Sequence, residues 1–135
     1  MTTPSFRGMD SRRHGDLAWD RVRLSVVIPA YNEIRSVEVL LQRVREVRLE
    51  VEVIVVDDRS SDGTTEAARI GANGDERFRI VTGEEPGTGW AGKPWACARA
   101  AGEATGDLLC FVDADVTMAP DAIAALVDTM GSREL

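Results

Sequence analysis

Asp113 and Asp115 stand one residue apart at the end of the apolar run Leu108-Leu109-Cys110-Phe111-Val112. Two carboxylates that close repel each other unless a cation or a set of donors neutralises them. A hard divalent ion such as Mg²⁺ or Mn²⁺ does so through oxygen ligands, and it is readily shared with a diphosphate. The plainer alternative is a strand that ends in a polar turn, with Asp115 capping the next element. A second acidic pair, Asp57-Asp58, closes another apolar-rich run, Val51 to Val56. Either carboxylate can accept a nucleobase N–H, or the pair simply makes a polar turn. Pro29-Ala30-Tyr31-Asn32-Glu33 follows a third such run. There Tyr31 either stacks on a base or covers the strand end. Glu33 either touches a ligand or sits in the first turn of a helix, where its charge suits the dipole. Lys93, in a glycine-rich stretch, either brings positive charge to phosphates or is a surface lysine. Trp90 and Trp95 either stack on a ligand or pack against the domain.

These groups need a frame that gathers them. Leu24 to Ile28 reads as a strand, ended by Pro29 because proline cannot donate to a sheet ladder. From about Ile34 to Val47 the spacing of Val37, Leu40, Leu41, Val44 and Val47 predicts a helix with one buried face. Val51 to Val56 is the second strand, followed by a turn rich in caps, Arg59 to Gly63. A short helix from Thr64 to about Ile70, closed by Gly71, leads to a strand at Phe78 to Val81. The irregular stretch Gly83 to Gly92 precedes a helix that Pro94 suits as a first-turn residue and that runs to about Ala104. Leu108 to Val112 reads as a strand buried on both faces. A last helix begins at Pro120, with Ile123, Leu126, Val127 and Met130 on one face.

The order β-α-β-α-β-α-β-α implies an α/β fold with a mainly parallel sheet and right-handed crossovers. The expected strand order is 3-2-1-4, the order of half a Rossmann sheet. The carboxyl ends of strands 1, 2 and 4 then share one edge, where such sheets bind ligands. A sugar nucleotide would find there a base acceptor in Asp57 or Asp58. Asp115 could hold the cation of its diphosphate, Asp113 the ribose hydroxyls or the metal, and Lys93 would add charge near the phosphates.

Composition excludes several other classes. The chain of 135 residues is 44% hydrophobic, enough for one packed domain. Residues 1–22 are polar and mixed in charge and read as a flexible leader, leaving 23–135 as the domain. His14, the one histidine, lies in that leader and is expected to be solvated. A net charge of -7 disfavours nucleic acid as a partner. Cys97 and Cys110 read as small buried hydrophobes rather than a disulfide or zinc site, which suits a reducing compartment. No apolar run approaches the length of a membrane span, and the N-terminus has no signal core. The expected location is the cytoplasm, including the cytoplasmic face of a membrane.

Ser25-Val-Val-Ile-Pro-Ala-Tyr-Asn-Glu33 resembles the opening of family 2 glycosyltransferases, which have the GT-A, Rossmann-like fold. Val53-Ile-Val-Val-Asp-Asp-Arg-Ser-Ser-Asp-Gly-Thr64 resembles their second signature, with Arg59 where a glycine is usual. Gly106-Asp-Leu-Leu-Cys-Phe-Val-Asp-Ala-Asp115 matches their metal-binding D-x-D strand. Gly89-Trp-Ala-Gly-Lys-Pro-Trp-Ala96 is similar to a branch associated with hopanoid and carotenoid biosynthesis.

The resemblance implies inverting, metal-dependent transfer of a sugar from a UDP- or GDP-linked donor, UDP being commoner, to an acceptor such as a lipid or isoprenoid. It implies that Pro29, Ala30, Tyr31, Glu33, Asp57, Asp58 and Asp113 bind the nucleotide sugar, to which Lys93, on its charge, and Ala114, between the two aspartates, are added. Asp113 and Asp115 would hold Mg²⁺ or Mn²⁺. Family members carry a second half with the acceptor site and a catalytic carboxylate. Here about twenty residues follow Asp115, so the chain reads as a donor-binding half, truncated after the D-x-D strand and its helix. No catalytic base is assignable; it is expected beyond Leu135, and apolar surface left uncovered would favour self-association.

Three rival readings differ in class. Asp113-Ala-Asp-Val-Thr117 also fits the D-x-D-x-T motif of haloacid-dehalogenase-type phosphatases, although that motif normally opens its domain. A nucleotidyltransferase would show a glycine-rich loop right after strand 1, which Pro29 to Asn32 is not. A non-catalytic nucleotide-sugar-binding remnant would keep binding without transfer.

Overall fold

The computed structural model describes residues 22–132. Apart from Val22, the segment read as a leader, His14 included, lies outside the described residues. Strands and helices alternate in the order β1 (Arg23–Ala30), α1 (Val37–Arg45), β2 (Glu50–Asp57), α2 (Thr64–Ala72), β3 (Phe78–Thr82), α3 (Gly92–Glu103), β4 (Leu108–Phe111) and α4 (Ala122–Ser132). The four strands form one parallel sheet in the order β3-β2-β1-β4, as the alternation predicts.

Successive side chains on a strand face opposite sides, so each strand feeds two cores. Val26 and Ile28 of β1 and Val53 and Val55 of β2 meet α1, α2 and α4 on one side, through Leu40, Leu41, Ala68, Ile123 and Val127. Val27, Ile54 and Val56 meet Ala96, Ala100 and Ala104 on the other, on and just beyond α3. The split follows from handedness. The connections from β1 to β2 and from β2 to β3 step outward in one direction, whereas β3 to β4 steps back across the sheet. One hand of crossover therefore puts α3 on the opposite face. The reversal lies between β1 and β4, and a crevice opens there at the carboxyl ends of the strands.

Several local expectations are corrected. Pro29 does not end β1, which continues to Ala30 and stays in register with Val56 and Asp57. Ala30 turns its carbonyl to β2, accepting from Asp58 N–H, while Val27 accepts from Val112 on the β4 side. Pro29 shares the orientation of Val27, and β4 pairs no further along β1 than Val27. The missing proline N–H thus faces an edge where the ladder has already stopped.

β4 is not buried on both faces. Leu108 and Cys110 are buried, but Leu109 is partly open and Phe111 is 49% exposed. The reason is that α3 covers β1 and β2, and β4 lies at the sheet edge. α1 starts at Val37, because Ser36 and Val37 N–H both bond to the Glu33 carbonyl in a turn. α2 passes through Gly71 and is closed by Asn73, whose φ of 50° is left-handed and whose N–H reaches the Arg69 carbonyl. Among the described residues no helix is long and apolar enough to cross a membrane.

The amino ends of the strands are tied by a polar network. The fully buried Ser25 hydroxyl donates to Glu52 Oε1 at 2.5 Å and accepts from Gly106 N–H at 2.8 Å. Burial acts to raise the Glu52 pKa, but the Ser25 hydroxyl, the Thr105 N–H and the Arg23 charge outweigh it and hold the carboxyl below its ordinary value.

Candidate functional site

A cavity of about 360 Å³ opens at the carboxyl ends of the strands. β1 and the residues after it contribute Pro29, Ala30, Tyr31 and Glu33, and the turn after β2 contributes Asp58. α3 contributes Lys93 and Ala96, and the loop after β4 contributes Asp113, Ala114 and Asp115. Nine of these ten positions are those singled out by the sequence. Ala96 was missed; its signal is its place one helical turn beyond Lys93, on the same face of α3.

The backbone after β1 is fixed by β2 and its turn. Asn32 has a left-handed φ of 51°, takes a hydrogen bond from Ser61 N–H on its side-chain oxygen, and donates its own N–H to Ser60 Oγ. Glu33 N–H bonds to Thr64 Oγ1, and its Oε2 accepts from Ser36 Oγ. Glu33 therefore lies in the turn before α1, not in the helix's first turn, and lines the cavity. Tyr31 is 61% exposed and forms an open aromatic wall. Trp90 and Trp95 form an edge-on pair with centroids 5.6 Å apart, and neither lines the cavity.

The two acidic residues after β2 part company. Asp57 is buried and does not line the cavity. Its Oδ1 accepts from Ser60 N–H and its Oδ2 from the Thr65 hydroxyl, so its charge is spent on the turn into α2. Asp58 faces the cavity, and its Oδ1 is buried without a hydrogen-bond partner among the described residues. The nearest cation to it is the half-exposed Arg59 guanidinium, at 3.7 Å. A buried carboxylate oxygen without a donor is costly unless a ligand supplies one. Arg59 itself has φ 60°, in the left-handed region that favours glycine.

The alternation of β4 carries on past its end. Val112 and Ala114 are buried, whereas Asp113 and Asp115 are exposed to the cavity. The Lys93 ammonium pairs with Asp113 Oδ1. That hydrogen bond, with the Asp113 and Asp115 charges, outweighs the opposing effect of burial and holds the lysine pKa above its ordinary value. Lys93 lies in the first turn of α3, whose start has no side-chain cap, so helix N–H groups add to the positive potential there.

The donor set suits a hard cation, because both groups are carboxylates with no sulfur or imidazole between them. Two carboxylates do not complete a coordination shell. Among the described residues no third His, Cys, Asp or Glu joins them in a metal-binding cluster. Asp113 and Asp115 therefore fit a Mg²⁺ or Mn²⁺ ion that takes its other ligands from water and from a phosphate-bearing ligand.

Known proteins resemble this chain in sequence and fold. A family model described as glycosyl transferase family 2 matches residues 25–134. A 4,4'-diaponeurosporenoate glycosyltransferase of Staphylococcus haemolyticus is 35% identical over 127 residues, covering 93% of this chain and 32% of that protein. The chain thus spans about a third of the length of the curated relatives it matches. Glucosyl-3-phosphoglycerate synthase of Mycobacterium tuberculosis, solved with Mn²⁺, UDP and glucosyl-3-phosphoglycerate, superposes with a TM-score of 0.66 at 24% identity, covering 98% of this chain and 46% of that one. A mannosyltransferase from Pyrobaculum calidifontis, solved with GDP-Man and Mn²⁺, superposes with a TM-score of 0.64 at 28% identity, covering 92% of this chain and 38% of that one.

Proposed function

The chain belongs to glycosyl transferase family 2 and has the GT-A fold, and from that premise we propose that its cavity binds the nucleoside diphosphate end of a sugar donor. The observation that carries this reading is the convergence of Asp58, Lys93, Asp113 and Asp115 on one cavity. In it the Asp58 carboxylate accepts the imino N–H of the base, which Tyr31 covers from the open side. Pro29 and Ala30 form the floor under the nucleoside. Asp113 takes ribose hydroxyls or the metal, and Lys93 with the start of α3 faces the diphosphate. A divalent ion held by Asp113 and Asp115 would supply Lewis-acid charge to the departing diphosphate.

The transfer is the displacement of that diphosphate from the anomeric carbon by an acceptor hydroxyl, with inversion. The base that removes the hydroxyl proton is assigned to no residue of this chain. A UDP donor is favoured, with GDP the alternative. A lipid or isoprenoid acceptor, met at the cytoplasmic face of a membrane, is supported by the segment Gly89–Ala96 and by the relative named for 4,4'-diaponeurosporenoate. Residues 23–135 are then the donor-binding half of the catalytic domain. The phosphatase and nucleotidyltransferase readings are left without support by the family assignment.

A nucleotide panel tests this reading by thermal shift. UDP with Mn²⁺ is expected to raise the melting temperature, with GDP the alternative and ADP and CDP weaker. No shift with any nucleotide in a folded sample would overturn it.

A further inference from the structure

The site holds a cation of its own. Lys93 Nζ pairs with Asp113, and both side chains are more than half exposed, at 61% and 52%. An exposed ion pair is weak and exchanges readily. The lysine is nevertheless rooted firmly, because its backbone lies in the first turn of α3 and Pro94 follows it directly. Its stem is fixed while its head is free to choose among acceptors in the cavity.

Two further features bear on the role of the pair. Asp113 and Asp115 have no third metal-binding partner among the described residues, so a divalent ion needs most of its oxygen ligands from elsewhere. An ion arriving alone must expel the Lys93 ammonium from Asp113, and the displaced lysine then faces the ion's charge while the neighbouring carboxylate, Asp115, is taken up by the same ion. A diphosphate arriving alone brings its charge towards two carboxylates, one of them, Asp115, without the lysine. If ion and diphosphate enter together, their charges largely cancel. The lysine then moves from Asp113 to a phosphate oxygen without losing a partner.

We propose that Lys93 is an internal counter-ion on Asp113 that the metal and diphosphate displace jointly, so that the lysine makes their binding mutually dependent. This rests on the donor-site reading above. Coupling of this kind is reciprocal and is commonly on the order of tenfold.

The test is Mn²⁺ binding, followed by the electron paramagnetic resonance of free Mn²⁺, with and without UDP or GDP. It is paired with calorimetry of the nucleotides and done on the parent chain, Lys93→Met and Lys93→Arg. Circular dichroism confirms that the variants fold. The parent is expected to bind Mn²⁺ weakly alone and about tenfold more tightly with nucleotide. Lys93→Met should bind Mn²⁺ alone severalfold more tightly than the parent, yet bind nucleotide in its presence more weakly, so that the coupling shrinks. Lys93→Arg should retain it. If Lys93→Met weakens nucleotide but leaves Mn²⁺ alone unchanged, the lysine is a phosphate anchor and the counter-ion proposal is wrong. Equal Mn²⁺ affinity of the parent with and without nucleotide also overturns it. No nucleotide binding to the parent at any Mn²⁺ concentration overturns the donor-site reading itself, a result distinct from the other two.

Discussion

Asp58 is positioned by its neighbours as much as by its own strand. Its N–H is held by the Ala30 carbonyl, and Gly83 and Gly92 pack so close that a Cβ on either would come 3.1 Å from its Cα or its Oδ2. A carboxylate fixed in this way has little freedom to find another donor. Asp58→Ala is therefore expected to weaken UDP binding by roughly 10- to 100-fold, the scale of one hydrogen bond to a charged group. Calorimetry should show inorganic pyrophosphate with Mn²⁺ binding as before, since the base contact alone is lost. Equal losses for both ligands would contradict the assignment. In the sequence Asp57 and Asp58 are indistinguishable, because both follow the same apolar run. The pleat separates them, turning one carboxylate into the start of α2 and the next into the cavity. That Lys93, Asp113 and Asp115 meet Asp58 at one cavity was legible because the strand order predicted from the alternation places their segments at one sheet edge.

At the scale of elements, the helices hold the strand ends in place, and their contacts set what can be changed. Gly71 lies inside α2 where it crosses α1, and a Cβ there would come 2.8 Å from the Glu38 carbonyl oxygen and 3.0 Å from its Cα. These are backbone atoms and cannot swing away. Gly71→Ala, though favoured by helix propensity, should destabilise the fold by about 1–3 kcal/mol, as overpacking does. Urea unfolding would show this as a lower midpoint at unchanged slope. Sequence alone suggested a helix-ending glycine there, because the approach of α1 is a tertiary fact.

The turn from α2 to β3 carries a pH dependence. Hydrogen bonds from the Arg77 side chain and then its backbone hold the Asp75 carboxyl at about 2, below its usual 3.8. Arg77 also donates to the Arg45 carbonyl at the end of α1, so the pair joins two helices to a strand. Because the folded pKa is the lower one, its contribution is complete above about pH 4 and is lost as the pH falls towards 2. Asp75→Asn should therefore be less stable than the parent at pH 6, with the gap closing between pH 4 and pH 2. A gap that stays constant over that range in chemical denaturation would contradict this.

For the molecule as a whole, the reversal of strand order between β1 and β4 makes the site. It sets α3 on the opposite face from α1 and brings Lys93 over the loop that carries Asp113 and Asp115. The alternation of apolar runs was enough to predict the strand order and the shared edge. It was not enough to show that β4 is an edge strand, since Leu108 to Val112 is apolar wherever it lies. Phe111 is consequently exposed and Leu109 only partly covered by the α3 side of the core, beside a strand edge that is unpaired among the described residues. Such an edge pairs readily with another chain. Sedimentation of this 135-residue chain is expected to show concentration-dependent association that Phe111→Lys reduces. A monomer at every concentration would contradict that expectation.

The central claim is that Asp115, with Asp113, ties nucleotide binding to a divalent ion. It is tested most directly by calorimetric titration of UDP, then GDP, with and without Mn²⁺, into the parent chain and Asp115→Asn. We predict saturable binding that Mn²⁺ strengthens about tenfold and an Asp115→Asn variant, its fold retained, in which that strengthening is lost. Binding of equal strength without the metal, or in Asp115→Asn, would contradict the account.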